Sequence, residues 1–331
     1  MTEQNILENR ATSATYLRFA NDEARGKSPL YEKLALKIAS DNEMLEFLAA
    51  LPPAKRQPNL LLAAVRYLAK SPLDWPQFRN FVLANGSDLL ALMRLRSTQT
   101  NEPARCAVLL PLLAAMPGPL ALLEVGASAG LCLLPDHYRY DYGGRQLVGQ
   151  FANENSPIFR CEIEGSISPP SRVPEVVWRA GLDLNPLNLT CHDDVQWLEA
   201  LVWPEQVERL ANLRAAIARA RERPPQVQRG DLREDLAALA AKAPRDATLV
   251  IFHTAVLVYL SSQADRDAFA ISVRGLSDHW ISNEWASVFP QLAPGWHGAN
   301  DDQFLMMLDG CPIGWSDPHG SSMSGRFSRA G

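Results

Sequence analysis

LALLEVGASAGLCLL, residues 120–134, decides how the chain reads. The run LALLEV is apolar but for Glu124, as a short strand buried in a parallel sheet is. GASAG follows, and Gly126 lets the backbone turn sharply out of that strand. Ser128 and Gly130 keep the loop bare, so a ligand could approach main-chain N–H groups at a helix N-terminus. LCLL then predicts the start of that helix. Strand, tight glycine turn and helix together make the opening unit of an α/β domain.

Everything before this stretch reads differently. Residues 6–24, 31–39, 43–51, 59–70, 75–84, 89–95 and 103–115 carry apolar residues at spacings of three and four, the helical period. SPL at 28–30, PPAKRQP at 52–58 and SPLDWP at 71–76 separate them. No run alternates as a half-buried strand would, so residues 1–118 are expected to form an all-α domain.

Downstream of the glycine loop, strands and helices alternate, which implies a mostly parallel sheet. Residues 138–178 hold short strand-like pieces and are expected to be an insertion. Residues 176–186 form a second core strand ending in Asp183, and 225–231 a third. ATLVIFH (247–253) is a fourth and HWISNE (279–284) a fifth. Residues 204–223 read as an amphipathic helix with Val207, Leu210, Leu213 and Ile217 on one face, and 232–243 as another helix. FLMML and CPIGW, joined by Asp309-Gly310, read as a hairpin, the antiparallel end of the sheet.

The bulk numbers narrow the function. The chain has 331 residues, 47% hydrophobic and 21% charged, an ordinary globular composition. A net charge of −5 argues against a general electrostatic grip on nucleic acid. Five scattered cysteines form neither a disulfide framework nor a zinc ribbon. Residues 107–123 carry no charge, but Pro111, Pro117, Gly118 and Pro119 interrupt them, so no membrane span is expected. The polar start lacks a signal-peptide pattern, and a cytoplasmic location is the expectation.

The loop itself fits four chemistries unequally. GxxxxGK[ST], the P-loop, is absent, and the dinucleotide pattern GxGxxG matches poorly. An acid at the strand end followed by G-x-G-x-G, as in methyltransferases, fits with Glu124 as the acid and Ser128 at the middle glycine. GASAG is also GxSxG, the nucleophile elbow of serine hydrolases, but no strands precede it and no HGGG-type segment is found. Acids at successive strand ends suit ligand binding outside the carboxyl edge of the sheet. Asp183 would meet ribose hydroxyls and Asp231 an adenine amine, while Asp231 could equally cap a helix. His253 is the candidate general base, with Thr254 beside it. Asn283 and Glu284 end the fifth strand, and Asn101 and Glu102 close the polar run that begins at Gln99 and Thr100. These four and Thr254 are candidate pocket residues. Asp317 and His319 are a possible ligand pair that nothing completes, so no metal is expected.

LLEVGASAGL, YRYDYG, VVWRAGLDLNPLN, ALVWPEQVERL, RGDL, VIFHTAVLVYL and ISNE, with SPLYEKLA and QPNLLLAAVRYL earlier, resemble the bacterial domain of unknown function 2332 family over nearly the whole chain. Within that family, the second half is similar to class I S-adenosylmethionine-dependent methyltransferases. The resemblance implies a Rossmann-like methyltransferase fold over 119–331. It implies a cofactor site made by Glu124, Gly126, Ala127, Ser128, Gly130, Asp183, Asp231 and Leu232. S-adenosylmethionine is the implied cofactor, and the implied methyl acceptor is a small molecule or another, unidentified partner. It also implies that the strand at 311–315 inserts between those at 304–308 and 279–284. A non-catalytic nucleoside-binding protein and a serine hydrolase remain the alternatives, and no oligomeric state follows.

Overall fold

The structure is a computed structural model that describes residues 3–99, 101–296 and 302–326. Seven helices precede the first strand: α1 (Glu3–Arg18), α2 (Pro29–Ala39), α3 (Asn42–Ala49), α4 (Pro58–Ala69), α5 (Trp75–Ala84), α6 (Gly86–Leu95) and α7 (Arg105–Ala115). A π-helical turn, Phe19–Ala24, continues α1. The caps explain where several of these begin. Ser28 and Asp41 accept from Tyr31 N and Met44 N, and Asp74 with Gln77 forms a capping box at α5.

By compactness the chain forms two units, residues up to 100 with 191–211, and residues 101–190 with 212 onward. This division differs from the expected boundary at 118 by the length of α7, which falls in the second unit. The first unit recruits α8 (His192–Leu201), a helix in a stretch the sequence reading leaves unassigned. Trp197 stacks edge-on against Tyr67 and donates Nε1–H to Ser97 O, and Arg96 pairs with Asp194 at 2.6 Å. These buried contacts hold 191–211 on the helical unit.

The second unit is α/β with a large, mostly parallel sheet. Its strands are β1 (Leu120–Val125), β2 (Arg139–Tyr142), β3 (Arg145–Val148), β4 (Ile158–Arg160), β5 (Glu162–Gly165), β6 (Val176–Asp183), β7 (Val227–Arg229), β8 (Thr248–Thr254), β9 (His279–Glu284), β10 (Phe304–Leu308), β11 (Cys311–Ser316) and β12 (Ser322–Gly325). Nine of them lie in the order β5-β12-β11-β10-β9-β8-β1-β6-β7. β7, β6, β1, β8 and β9 are parallel. The helices α9 (Val207–Glu222), α10 (Leu236–Ala240) and α11 (Gln263–Leu276) lie on the connections between these strands.

Four expectations need correction. No α-helix follows the glycine loop. Two 3₁₀ turns, Leu131–Leu133 and Pro135–His137, stand there instead. A helix would need the N–H of residue 135 for Leu131 O, and Pro135 has none; the Tyr138 hydroxyl donates to that carbonyl at 2.8 Å. The insertion is only partly separate. β3, β2 and β4 form a small sheet of their own, but β5 pairs in parallel with β12 on the main sheet. Val207 is 71% exposed, and α9 buries Leu213, Ala216, Ile217 and Ala220.

The hairpin is antiparallel, with positive φ at Asp309 (53°) and Gly310 (82°), as a two-residue primed turn requires. Its order is the fourth correction. β10, not β11, lies against β9, so the second strand is not inserted. FLMML is buried from Phe304 to Met307 and takes the inner place. Pro312 has no ladder N–H and suits the outer strand, which pairs with β12 only from Gly314.

Pro111 sits inside α7 and cannot donate to Ala107 O. The Tyr142 hydroxyl donates to that carbonyl at 2.6 Å, so the missing helix bond is replaced. No helix among the described residues is long and apolar enough to cross a membrane.

Candidate functional site

Strand order reverses at β1: the chain runs from β1 to β6 and β7 on one side, then to β8 and β9 on the other. The crevice outside the carboxyl ends at such a reversal is where open α/β sheets hold ligands. The glycine loop stands there, but most of its donors are occupied. Gly126 N and Ala127 N donate to Leu182 O at 2.8 and 3.3 Å, Ser128 N to Asp183 Oδ2 at 2.8 Å, and Gly130 N to Ala127 O at 2.6 Å. Asn101 bridges the loop, taking Leu131 N at 2.9 Å and donating to Ala127 O at 3.3 Å. The close approach that the glycines permit is made by the protein. A Cβ on Gly126 (φ +71°) would meet Val256 Cγ2 at 2.2 Å, and one on Gly130 would meet Pro225 Cγ at 2.8 Å. The expectation of a bare cradle at a helix N-terminus is therefore corrected. Without the helix there is no dipole, and four of the loop's five amides, with Leu131 N after them, are already bonded. Ser128 has the positive φ (51°) of an elbow, but only a three-residue 3₁₀ turn follows Gly130.

The acids divide. Asp183, half-buried at the end of β6, ties the loop to its own turn, accepting Ser128 N through Oδ2 and Asn185 N through Oδ1 at 2.7 Å. Asp231 is engaged by Arg233 at 2.6 Å, which holds its carboxyl below the usual range, and by Arg233 N. Leu232 is half-buried against the core. Glu124 is buried one residue before the end of β1, and its Oε2 has no hydrogen-bond partner. Burial pushes its carboxyl well above the usual range, with Cys132 adding to the shift and Arg105 opposing it.

Register separates the remaining candidates. Residues in register share a face and successive residues alternate. Val125, His253 and Ser282 line one face, with Glu284; Glu124, Thr254 and Asn283 line the other. His253 is fully buried, its Nε2 accepting Trp280 Nε1–H at 2.9 Å and its Nδ1–H donating to Glu284 Oε1 at 2.8 Å. Phe269, Trp280 and Phe289 surround the ring. The same Glu284 oxygen accepts Val256 N and Leu257 N, so this pair fastens the turn after β8. Both ring nitrogens are engaged, and in this geometry His253 and Glu284 fasten the turn after β8.

The opposite face gathers polar groups under α7. Arg105 donates Nη1–H to Thr254 O and Oγ1, both at 3.1 Å, and Nε–H to Pro318 O at 2.8 Å. Ser316 Oγ donates to Asn283 Oδ1 at 2.8 Å, leaving the fully buried Asn283 Nδ2 without a partner. Glu102 lies 3.6 Å from His319 Nδ1, and Cys132 Sγ donates to Glu102 O. The Cys106 side chain, then burial, pushes the Cys132 thiol up. Among the described residues no three metal-ligating side chains come together. The polar run before α7 thus reaches the cluster through Asn101 and Glu102, whereas Thr100 lies outside the described residues. Arg105, Cys132 and Ser316 are absent from the sequence reading. Arg105 carried a signal: it is the one charge on the helix RCAVLLPLLAA, and a cation at a helix N-terminus opposes the dipole.

A family model described as an uncharacterized protein conserved in bacteria (DUF2332) matches residues 13–314. The chain belongs to that family. No curated protein and no solved structure matches it.

Proposed function

We propose that this member of the DUF2332 family is an S-adenosylmethionine-dependent methyltransferase acting on a small acceptor. The observation that carries the reading is the reversal of order at β1 in five parallel strands, with the glycine loop and Asp183 at the crevice it opens. The committed loop amides and the missing helix favour this cofactor over a phosphate-bearing one. A pyrophosphate needs donors and a helix dipole; an adenosyl sulfonium carries no phosphate. The fit is partial. Asp183 would hold the ribose hydroxyls, since a carboxylate oxygen accepts more than one hydrogen bond. Asp231 is engaged by Arg233, and no contact with adenine is assigned to it.

When bound, the cofactor supplies an activated methyl group on sulfur. The part left to the protein is positioning. Thr254 and Asn283, which Arg105 and Ser316 hold, would orient an acceptor. Calorimetric titration with S-adenosylmethionine, S-adenosylhomocysteine and NAD tests the proposal. Both adenosyl ligands should bind and NAD should not. Binding of NAD alone, or of none of the three, would refute it.

A further inference from the structure

Arg105 is 7% exposed, and long cations are rarely buried without an anion. Among the described residues no carboxylate lies within ion-pair distance of its guanidinium. Its Nε and Nη1 are satisfied by a carbonyl at Pro318 and by Thr254, and Nη2 makes no hydrogen bond to a described residue. Thr254 stands in register with Asn283, whose buried Nδ2 also lacks a partner. A buried polar group left unmatched calls for an occupant, water or ligand. Two donors, one of them cationic, therefore stand at adjacent positions on one face at the carboxyl ends of β8 and β9.

We propose that these two donors recognise a carboxylate group of a small molecule, one oxygen taken by Arg105 Nη2–H and the other by Asn283 Nδ2–H. Charge counting favours a monoanion over phosphate. Burial favours the uncharged form of Glu124, and the Arg105 guanidinium carries a single positive charge. A planar, two-oxygen anion also offers one acceptor oxygen to each of the two donors. The inference does not depend on methyl transfer, since the carboxylate could belong to the amino-acid end of the proposed cofactor or to a separate molecule.

Thermal unfolding and calorimetry of the full chain with sodium acetate, pyruvate and benzoate test this. Sodium chloride and sodium phosphate at equal ionic strength, and neutral benzamide, are the controls. At least one carboxylate should raise the melting temperature and bind, while the controls do not. Arg105→Lys keeps the charge but loses the Nη2–H donor and the bonds to Pro318 and Thr254 that orient it, and should weaken binding about tenfold or more, roughly 1.4 kcal/mol. If that variant does not fold, benzamide against benzoate on the wild-type chain decides the same point. Equal effects of chloride or benzamide, silence from all three carboxylates, or unchanged binding by folded Arg105→Lys would overturn the proposal. Competition between the carboxylate and S-adenosylmethionine would assign the site to the cofactor's own carboxylate. Simultaneous binding would assign it to a second molecule. Absence of S-adenosylmethionine binding would sink the methyltransferase reading and leave a positive carboxylate result standing.

Discussion

Asp183→Ala separates what the strand-end acid does for the fold from what it does for a ligand. In the native chain its carboxylate accepts Ser128 N at 2.8 Å and Asn185 N at 2.7 Å, clamping the glycine loop to the turn that follows β6. Hydrogen bonds to a charged group contribute about 1.5–3 kcal/mol each. Two of them set an upper figure of roughly 3–6 kcal/mol. Asp183 is only half-buried, so water can reach part of the vacated space, and a loss of about 2–4 kcal/mol is expected. Asp183→Asn keeps one acceptor oxygen and should lose roughly half as much. Urea unfolding measures this; a change below about 0.5 kcal/mol, the scatter of neutral surface substitutions, would refute the clamp. Calorimetry on the remaining folded protein measures the other role. If Asp183 also holds ribose hydroxyls, affinity for S-adenosylmethionine should fall about tenfold or more. If it does not, stability falls and affinity stays.

Gly126→Ala should destabilise by about 2–5 kcal/mol, combining roughly 1–2 for an L-residue at positive φ with about 1–3 for overpacking against Val256. Trimming Val256 to alanine in the same chain should recover the second part, as urea unfolding of the double variant will register. His253→Leu leaves Glu284 Oε1 and Trp280 Nε1 short of a partner and should cost about 3–5 kcal/mol. It should leave the pH profile of any activity unchanged, and a lost titration in that profile would restore His253 as a base. Burial holds the Glu124 carboxyl above its unfolded value, about 4.3, so the native state keeps a proton that the unfolded chain releases. Its contribution is fully present below that value and is lost as pH rises toward the folded value. Wild type should therefore lose up to about 1.4 kcal/mol per pH unit relative to Glu124→Gln across that window, and parallel stability curves would contradict this.

The elements legible in the sequence were those whose signals are local. LALLEV, HWISNE and the Asp309-Gly310 hairpin announce themselves by apolar runs bounded by turn residues, and the structure has them at the expected residues. What depends on tertiary choice was not legible. Nothing within FLMML-DG-CPIGW says which of its strands meets β9; the edge tolerance of Pro312 is a weak hint. α8 is short and acidic at its start, and its place comes from Trp197 and Asp194 meeting residues about a hundred positions earlier. The helix expected after Gly130 ignored Pro135, a signal that was present. At the site, His253 and Thr254 were read as one feature because they are neighbours in sequence. In a strand, neighbours point to opposite faces. That alternation puts Thr254 with Arg105 and His253 with Trp280.

The same alternation determines which side of the sheet can do chemistry. Both faces carry unmatched buried atoms: Ser282 Oγ and Glu284 Oε2 on one, Glu124 Oε2 and Asn283 Nδ2 on the other. On the His253 face the strongest groups are already matched, and Phe269, Trp280 and Phe289 fill the space around them. That arrangement fastens Val256 over Gly126 and so keeps the loop closed. On the α7 face Arg105 is met, among the described residues, by neutral groups, the oxygens of Thr254 and Pro318 and the Phe304 ring. A neutral partner offsets less of a buried charge than an anion does. A ligand with a carboxylate would complete that cluster, whereas on the His253 face Glu284 Oε1 already holds His253, Val256 N and Leu257 N. The glycine motif and the binding chemistry are thus separable: the glycines serve the packing of Val256, Pro225 and Val227. The groups able to hold an anion stand on the last residues of β8 and β9 and on the first turn of α7.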